Sequence, residues 1–460
     1  MILLAINWAV VGIKVAQLLL SLSILVVLHE FGHYITARWF GCRVEKFFLF
    51  FDPWFAIWKK KIGDTVYGIG WLPLGGYVKI SGMIDESMDK EQMKQPPKEW
   101  EFRSKPAWQR LIVMLGGIIM NVLVAFVIYA FVLMIWGEKK VPASSMKYGV
   151  HIGDSTLMKI GFKDGDKILG VDGKPVYDLT KFRKKLLTAE QVQVERDGKQ
   201  LDIKLPINFI GQLIENKNQR RTGFVDVRIP AMVLQAPDTS HAFRAGIRKN
   251  DLIVGIDSTR VQFYDEMYSQ LQQHKGKDVL LTVNRDGRDT SFPTKILINE
   301  EDEGILGVRL YGTAQQMDSL GWLKLEVTRY NFASAFPAGV KKTFAELNDY
   351  LQQFKLILNP KTGGYKGVGG FKSIGSIFSP TWDWEWFWRM TAMLSVILAF
   401  MNLLPIPALD GGHVMFTLYE MITRRKPNEK FLEYAQMAGM ILLLLLMLYA
   451  NGNDWFGWGK

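Results

Sequence analysis

Apolar residues are concentrated in four long stretches, separated by polar or mixed segments. The stretches run from about Ile6 to Phe40, Leu111 to Trp136, Phe387 to Leu404 and Tyr434 to Tyr449. A bilayer core of about 30 Å needs about 20 apolar helical residues. The second stretch meets this length alone. The third and fourth meet it with their tryptophan-rich flanks, because tryptophan favours the membrane interface. The pattern therefore predicts four transmembrane helices.

The first stretch has an alternative interpretation as a cleaved signal peptide. It lacks a basic start and a small-residue cleavage pattern, and it continues directly into the polar run His29-Glu30-Phe31-Gly32-His33. We therefore interpret it as a spanning helix.

Basic residues cluster in two short loops between the apolar stretches. Lysines occupy positions 59–61, and two arginines and a lysine occupy positions 424–426. Short loops rich in lysine and arginine face the cytoplasm. Both termini, and the long segment from about Lys139 to Thr381, are therefore expected on the opposite side of the membrane.

The long segment contains an internal repeat. One copy begins at Gly161 (GFKDGDKILGVDGKPV) and the other at Gly246 (GIRKNDLIVGIDSTRV). Each copy continues to an Arg-Asp-Gly turn between alternating apolar residues, which is a hairpin signal. The repeat predicts two small domains of the same mixed α+β fold.

Other segments are shorter and more varied. Residues 45–84 are aromatic, apolar and glycine-rich, which predicts strands that lie on the membrane or dip into it. Residues 85–101 are polar and are expected to form a loop. Residues 336–358 follow an amphipathic helical pattern, and residues 363–375 form a glycine-rich connection.

Composition supports this division of the chain. Hydrophobic residues make up 48% of 460 residues, which fits a mixture of membrane spans and polar domains. The net charge of +11 is scattered and recurs beside the apolar stretches. It therefore indicates membrane orientation rather than phosphate binding, and we expect a lipid bilayer and no nucleic acid as partner. Cys42 is the single cysteine, so no internal disulfide can form.

The strongest chemical signal is the HExxH motif at the end of the first stretch. Residues four apart share one face of a helix, so His29 and His33 can bind one Zn²⁺ through imidazole nitrogens. Glu30 can accept a proton from water at the metal without being a ligand. Ionisable residues at the end of a membrane helix are costly and are usually retained for function.

A catalytic zinc site needs a third protein ligand and an open position. His151, His241 and His274 lie in polar, surface-like contexts, whereas Asp410 and His413 follow an apolar stretch that two prolines interrupt. Prolines end regular helix, and the freed backbone is tolerated in a membrane only where it is buried in protein or faces water. The residues alone leave Asp410 and His413 as alternatives.

Together, HEFGH near the N-terminus and NLLPIPALDGG near the C-terminus resemble the two signatures of site-2 proteases, which are zinc intramembrane metalloproteases. The repeats resemble PDZ domains. Their position between the second and third spans is similar to the bacterial regulator of sigma-E protease type. The resemblance covers nearly the whole chain.

The resemblance implies a role for particular residues. It implies Zn²⁺ held by His29, His33 and Asp410, with Glu30 as general base. It implies that Asn402 contacts the substrate backbone. It further implies that an extended substrate pairs with the glycine-rich strand, through Gly75, Gly76, Tyr77 and Val78.

The resemblance also implies what the protein acts on and where. The expected function is intramembrane cleavage of single-span proteins, such as anti-sigma factors or remnant signal peptides, in a bacterial cytoplasmic (inner) membrane. The PDZ-like domains are expected on the extracytoplasmic side.

Two other functions compete with proteolysis. One is a catalytically inactive membrane scaffold that holds partners through PDZ-like domains; the intact metal set argues against it. The other is a metal transporter, which usually shows repeated membrane halves that this chain lacks.

The predicted fold class is a multi-pass α-helical membrane protein with four transmembrane helices, a membrane-associated β-rich segment and two extracytoplasmic PDZ-like α+β domains. The expected divisions are helix 1 with HExxH (1–40), the β-region and loop (41–107), helix 2 (108–137), PDZ-like domain 1 (138–230), PDZ-like domain 2 (231–312), the amphipathic helix and connector (313–385), helix 3 with the NxxPxPxLDG pattern (386–418) and helix 4 (432–452).

Overall fold

The computed structural model describes residues 7–83, 96–216, 223–299 and 302–459. Most of the polar loop predicted at 85–101 lies outside the described residues. The chain divides into two compact units. We call Glu138–Thr328 with Lys355–Gly367 the repeat unit. We call Asn7–Gly137, Arg329–Phe354 and Val368–Lys460 the helical unit.

The helical unit begins with two long helices that flank a pair of strands. These elements are α1 (Trp8–Trp39), β1 (Val44–Ile62), β2 (Thr65–Ile80) and α2 (Ala107–Trp136). Asn7 caps α1 through its side-chain oxygen, which accepts from the Val10 N–H. Gly137, with φ of 73°, ends α2.

The strands β1 and β2 bend, so that they form more than a simple hairpin. Residues 44–49 pair with 76–80 and also with 66–69, while residues 56–62 pair with 65–70. Segment 76–80 thus lies at an edge of this sheet among the described residues. The predicted strands at 45–84 are present, and one open edge is available for pairing.

The repeat unit consists of short strands and helices. In chain order they are β3 (Glu138–Lys140), β4 (Val150–Ile152), α3 (Ser155–Ile160), β5 (Lys167–Val171), β6 (Lys174–Pro175), α4 (Leu179–Leu186), β7 (Gln191–Arg196), β8 (Lys199–Lys204), α5 (Phe209–Glu215), β9 (Val225–Val227), β10 (Val233–Gln235), α6 (His241–Ala245), β11 (Leu252–Ile256), β12 (Thr259–Arg260), α7 (Tyr264–Gln273), β13 (Asp278–Arg285), β14 (Arg288–Lys295), β15 (Leu297–Ile298), β16 (Gly304–Ile305), β17 (Arg309–Leu310), α8 (Ala314–Ser319) and β18 (Glu326–Thr328).

The internal repeat corresponds to two equivalent sheets, each with its own buried apolar core. Their strand orders are β6-β5-β7-β8 and β12-β11-β13-β14. In the first, the buried Asp166 carboxylate accepts from the Arg196 guanidinium at 2.7 and 2.8 Å. In the second, Asp251 and Arg285 make the same pair at the same two distances.

The predicted hairpin turns have the expected backbone. Asp197 and Gly198 both have positive φ, 51° and 75°, and Asp286 and Gly287 have 51° and 81°. Two successive residues with positive φ are the signature of the tight turn that Asp-Gly favours. β3 pairs with β18, so strand pairing joins the first and last strands of the repeat unit.

Five helices complete the chain: α9 (Phe332–Leu358), α10 (Phe371–Ser376), α11 (Trp384–Leu403), α12 (Asp410–Thr423) and α13 (Glu429–Phe456). α9 begins earlier than the predicted start at 336 and contains Pro337. The connection predicted at 363–375 is partly helical, because α10 begins within it.

The predicted third division, 386–418, contains α11 and α12, which are separated at the predicted proline break. Within the described residues, four helices are long and apolar enough to cross a membrane: Trp8–Trp39, Ala107–Trp136, Trp384–Leu403 and Lys430–Phe456. This agrees with the four predicted spans.

Small and polar residues bring α1, α2 and α11 together. A Cβ atom on Gly32 would overlap the backbone of Gly116, so these helices touch at glycine. The Thr391 hydroxyl donates to the Ser21 hydroxyl at 3.0 Å across α11 and α1. Close packing of these helices sets the position of the side chains on α1, including His29, Glu30 and His33.

Candidate metal centre

α1 carries the two histidines of the HExxH motif one turn apart. His29 and His33 meet edge to face, with ring centroids 4.9 Å apart. Glu30 and Val78 of β2 line the same cavity as the two histidines. The helix therefore presents two imidazoles and a carboxylate to one cavity.

Asp410 is placed by the break between α11 and α12. Pro405 and Pro407 cannot continue a helix, because proline has no N–H and its ring clashes with the preceding turn. α11 ends at Leu403, and Ala408 has a left-handed backbone with φ of 81°. Asp410 is then the first residue of α12. The break thus places its carboxylate against the α1 histidines.

Three ligand atoms converge at nearly equal distances. Asp410 Oδ2 lies 3.3 Å from His29 Nε2 and 3.2 Å from His33 Nε2. The two Nε2 atoms are 3.3 Å apart. Ligands at 2.0–2.1 Å from a tetrahedral zinc ion are separated by about 3.3 Å. The triangle therefore fits Zn²⁺, with a fourth position left for water.

The far sides of both imidazoles face α2. His33 Nδ1 donates to the Val113 carbonyl oxygen at 2.8 Å, so its Nε2 lone pair points to the other ligand atoms. His29 Nδ1 lies 3.1 Å from the side-chain amide of Asn121. A Cβ atom on Gly117 would lie 2.6 Å from His29 Cε1 and would also overlap His33 Nε2. Val113, Gly117 and Asn121 thus define the back wall of the site.

The predicted site residues include neither Asn121 nor Gly117. Their spacing of four residues, which puts them on one face of α2, is the signal that was available. A polar side chain within an apolar span is a functional candidate by cost alone.

A cavity of about 570 Å³ opens in front of the ligand atoms. Besides the histidines, Glu30 and Asp410, it is lined by β1, β2 and their neighbours: Lys46, Phe51, Asp52, Pro53, Leu72, Gly76, Tyr77, Val78, Lys79, Ile80, Met83 and Met114. The edge segment 76–80 is therefore the wall of the same cavity. An extended chain could enter between this edge and the ligand atoms.

The predicted substrate-binding residues lie in different places. Gly76, Tyr77 and Val78 line the cavity, whereas Gly75, with φ of 152°, is not among its lining residues. Asn402 is in the last turn of α11 and is likewise not among them.

Asp410 and His413, the two alternatives for the third ligand, lie in different places. Of Asp410 and His413, Asp410 belongs to the group with His29 and His33 whose ligand atoms lie within 4.8 Å of one another. His413 lines a different cavity, together with Arg110 and Glu420.

The model of peptidase family M50 matches residues 17–446. The regulator of sigma E protease of Salmonella typhi is 27% identical over 470 residues, covering 96% of this chain and 98% of the relative. Metalloprotease MmpA of Caulobacter vibrioides is 25% identical over 459 residues, covering 96% and 95%. A Xylella fastidiosa protein that carries the name of a zinc metalloprotease is 26% identical over 458 residues, covering 96% and 98%.

Solved structures match part of the chain. The PDZ domain of an SdrC-like protein from Listeria monocytogenes is 18% identical, and the match covers 19% of this chain and 90% of that domain, with a TM-score of 0.17. The corresponding domain from Listeria innocua is 20% identical, with coverage of 18% and 96% and the same TM-score of 0.17.

Proposed function

Since the chain belongs to peptidase family M50, the site-2 proteases, it is a zinc metalloendopeptidase, and we propose that His29, His33 and Asp410 hold its zinc ion while Glu30 is the general base. The observation that supports this ligand set is the triangle of Nε2, Nε2 and Oδ2 atoms with sides of 3.2–3.3 Å. The family's zinc dependence and a tetrahedral donor set agree.

The chemistry is divided between the metal and this chain's residues. When bound, zinc lowers the pKa of water in its open position toward about 7 and polarises a carbonyl group. Glu30 accepts the proton of the attacking water and then donates it to the leaving amine. Its carboxylate faces the same cavity as the three ligand atoms, which is what this transfer requires.

The substrate is proposed to be the transmembrane segment of a single-span protein. A membrane helix hides its peptide bonds in internal hydrogen bonds, so it must unwind before attack. The edge segment 76–80 can replace those bonds by strand pairing. We propose that Gly75, Gly76, Tyr77 and Val78 hold the substrate in this way, and that Asn402 contacts its backbone near the cleaved bond.

The proposed setting is a bacterial cytoplasmic membrane with the repeat unit outside the cytoplasm. PDZ-like domains can bind C-termini or act as a size filter. We propose that the two domains of the repeat unit act as a filter, which admits substrates already shortened by an earlier cut. Anti-sigma factors and remnant signal peptides are the substrate classes that this arrangement fits. One relative is named regulator of sigma E protease, and this name supports anti-sigma factors as the substrate class.

The test is cleavage of a model single-span substrate by the purified protein. Glu30→Gln should abolish cleavage while leaving bound zinc near one ion per chain, because Glu30 is not a ligand. Asp410→Asn should lose both zinc and cleavage. His413→Asn is the matched control and should retain both. An active Glu30→Gln protein would contradict the assignment of the base, and inactivity of the unaltered protein with bound zinc would favour the scaffold alternative.

The filter is tested separately with a form that lacks residues 138–328. It should cleave an uncut substrate with a bulky outer domain, which the complete chain leaves intact. If the shortened protein still rejects that substrate while it cleaves the trimmed one, the filter proposal is wrong.

A further inference from the structure

Asn121 is buried in α2 with a side chain that faces His29. It is 0% exposed, and its Nδ2 atom lies 3.1 Å from His29 Nδ1. Its Oδ1 atom is buried and finds no hydrogen-bond partner among the residues that the structure describes. An amide that is packed this tightly and left half unsatisfied in an apolar span is costly. Its polarity therefore needs a reason beyond packing.

The two histidines differ in how their protons are controlled. The Val113 carbonyl oxygen can only accept, so His33 carries its proton on Nδ1 and keeps the Nε2 lone pair free. At His29, the group that faces Nδ1 among the described residues is the side-chain amide of Asn121. An amide can either donate through its nitrogen or accept through its oxygen.

The orientation of this amide decides whether His29 can be a ligand. If the Asn121 nitrogen donates, a neutral His29 carries its proton on Nε2, which then faces Asp410 Oδ2 at 3.3 Å. In that tautomer Nε2 donates a hydrogen bond to Asp410 and has no lone pair for a metal. If the amide is turned end for end, its oxygen accepts from Nδ1–H and the Nε2 lone pair is free.

We infer that Asn121 is a positioning residue for zinc: its amide oxygen holds the proton of His29 on Nδ1, so that Nε2 faces the metal. The turn exchanges NH₂ for oxygen within nearly the same shape, so packing does not oppose it. The backbone of Asn121 is held independently, because the Ser395 hydroxyl donates to its carbonyl oxygen at 2.7 Å. Asn121 thus does for His29 what the Val113 carbonyl does for His33. This inference rests on the proposed ligand set.

The experiment measures zinc affinity of the full chain in detergent micelles, by competition with a chromogenic chelator. Asn121→Leu keeps the size of the side chain and removes the acceptor, and it should weaken zinc binding by about 10–100-fold, as loss of a partner to a ligating histidine does. Asn121→Asp can only accept, and it should bind within a few-fold of the unaltered protein. Ser23→Ala, which removes an exposed hydroxyl that donates to Leu19 within α1, is the control and should leave the affinity unchanged.

The outcomes separate this inference from the proposed site. Unchanged affinity in Asn121→Leu, or equal loss in Asn121→Asp and Asn121→Leu, would overturn the role of the amide oxygen. His29→Ala should lose binding outright; if it binds normally, the ligand set itself is wrong. Thermal unfolding of each variant without zinc identifies a folding defect, and should Asn121→Leu show one, Asn121→Ala replaces it as the variant without an acceptor.

Discussion

Gly117 leaves the space that the two histidine rings occupy. It lies in α2 directly behind them, where the smallest side chain would contact both rings. The helices can therefore approach closely only because this position has no Cβ atom. Its neighbour Gly116 serves the backbone contact with Gly32.

Gly117→Ala should displace both imidazoles and weaken zinc binding by more than about 10-fold, because ligand orientation controls affinity. A Cβ atom there lies 2.6 Å from His29 Cε1. Gly12→Ala, in a position with nothing within 4 Å, is the matched control and should bind zinc normally. Chelator competition measures both. Normal binding in Gly117→Ala would mean that the rings have room to move.

His151 in the repeat unit is not the isolated surface residue that its sequence context suggests. Its Nδ1 atom lies 2.9 Å from Asp164 Oδ1, which also accepts from the Ile152 backbone N–H at 2.7 Å. Burial lowers the pKa of His151. The hydrogen bond to Asp164 and the charges of Asp164, Asp265 and Asp226 raise it by more, so the pKa is raised overall. Burial raises the pKa of Asp164, but its hydrogen bonds with His151 and the Ile152 N–H lower it by more, so this pKa is lowered overall.

The pair predicts a pH dependence of stability. A raised histidine pKa stabilises fully below about 6.5, and this contribution is lost as pH rises through the folded-state pKa. The lowered pKa of Asp164 removes its own contribution only as pH falls far below neutral. The difference in unfolding temperature between the unaltered protein and His151→Gln should therefore be largest near about pH 6 and shrink toward about pH 9. A difference that grows over this range would contradict the assignment.

At the scale of elements, the break between α11 and α12 is held by the last helix. Gly439 of α13 is buried against the turn, where an added Cβ atom would overlap the Pro407 carbonyl oxygen and lie 3.0 Å from its Cα atom. The turn leads directly to Asp410. α13 therefore helps to set the position of the third proposed ligand through this turn.

Gly439→Ala should push the turn away from α13. We expect a loss of about 1–3 kcal/mol in stability, as for overpacking in a core, together with weaker zinc binding. Thermal unfolding and chelator competition measure the two effects, with Gly12→Ala again as the control. Unchanged zinc affinity despite lower stability would show that the turn moves without Asp410.

At the scale of the whole molecule, the chain offers a direct test of its orientation in the membrane. Cys42 is the single cysteine and is 2% exposed. After Cys42→Ser, a cysteine can be introduced at one exposed position at a time. Lys60 lies near the end of β1, between the first two spans, Arg425 lies between α12 and α13, and Lys174 lies in the repeat unit.

Lys174→Cys should react with a membrane-impermeant maleimide in intact bacterial spheroplasts. Lys60→Cys and Arg425→Cys should react only after the membrane is opened, because short basic loops stay in the cytoplasm. The extent of labelling on gels reports the result. Labelling of the two loop positions in intact spheroplasts would reverse the proposed topology.

Local sequence patterns were sufficient to predict much of the secondary structure and the chemical residues of this protein. The spacing of His29 and His33 places them on one helical face without any tertiary contact. The lengths of the apolar stretches predicted four spans, and the Asp197-Gly198 turn has the backbone that its residues favour. These features depend on neighbours in sequence, so the sequence by itself determined them.

Only the tertiary structure decided how distant segments meet. Asp410 meets His33 although the two residues are 377 positions apart in the chain. Asn121 and His29 meet across 92 positions. The open edge at 76–80 likewise arises from the way β1 and β2 bend. Such contacts follow from the packing of α1, α2 and α11 through glycine and hydroxyl residues, which no periodic pattern encodes. Chemistry at this site was therefore readable in the residue types, whereas its geometry required the fold.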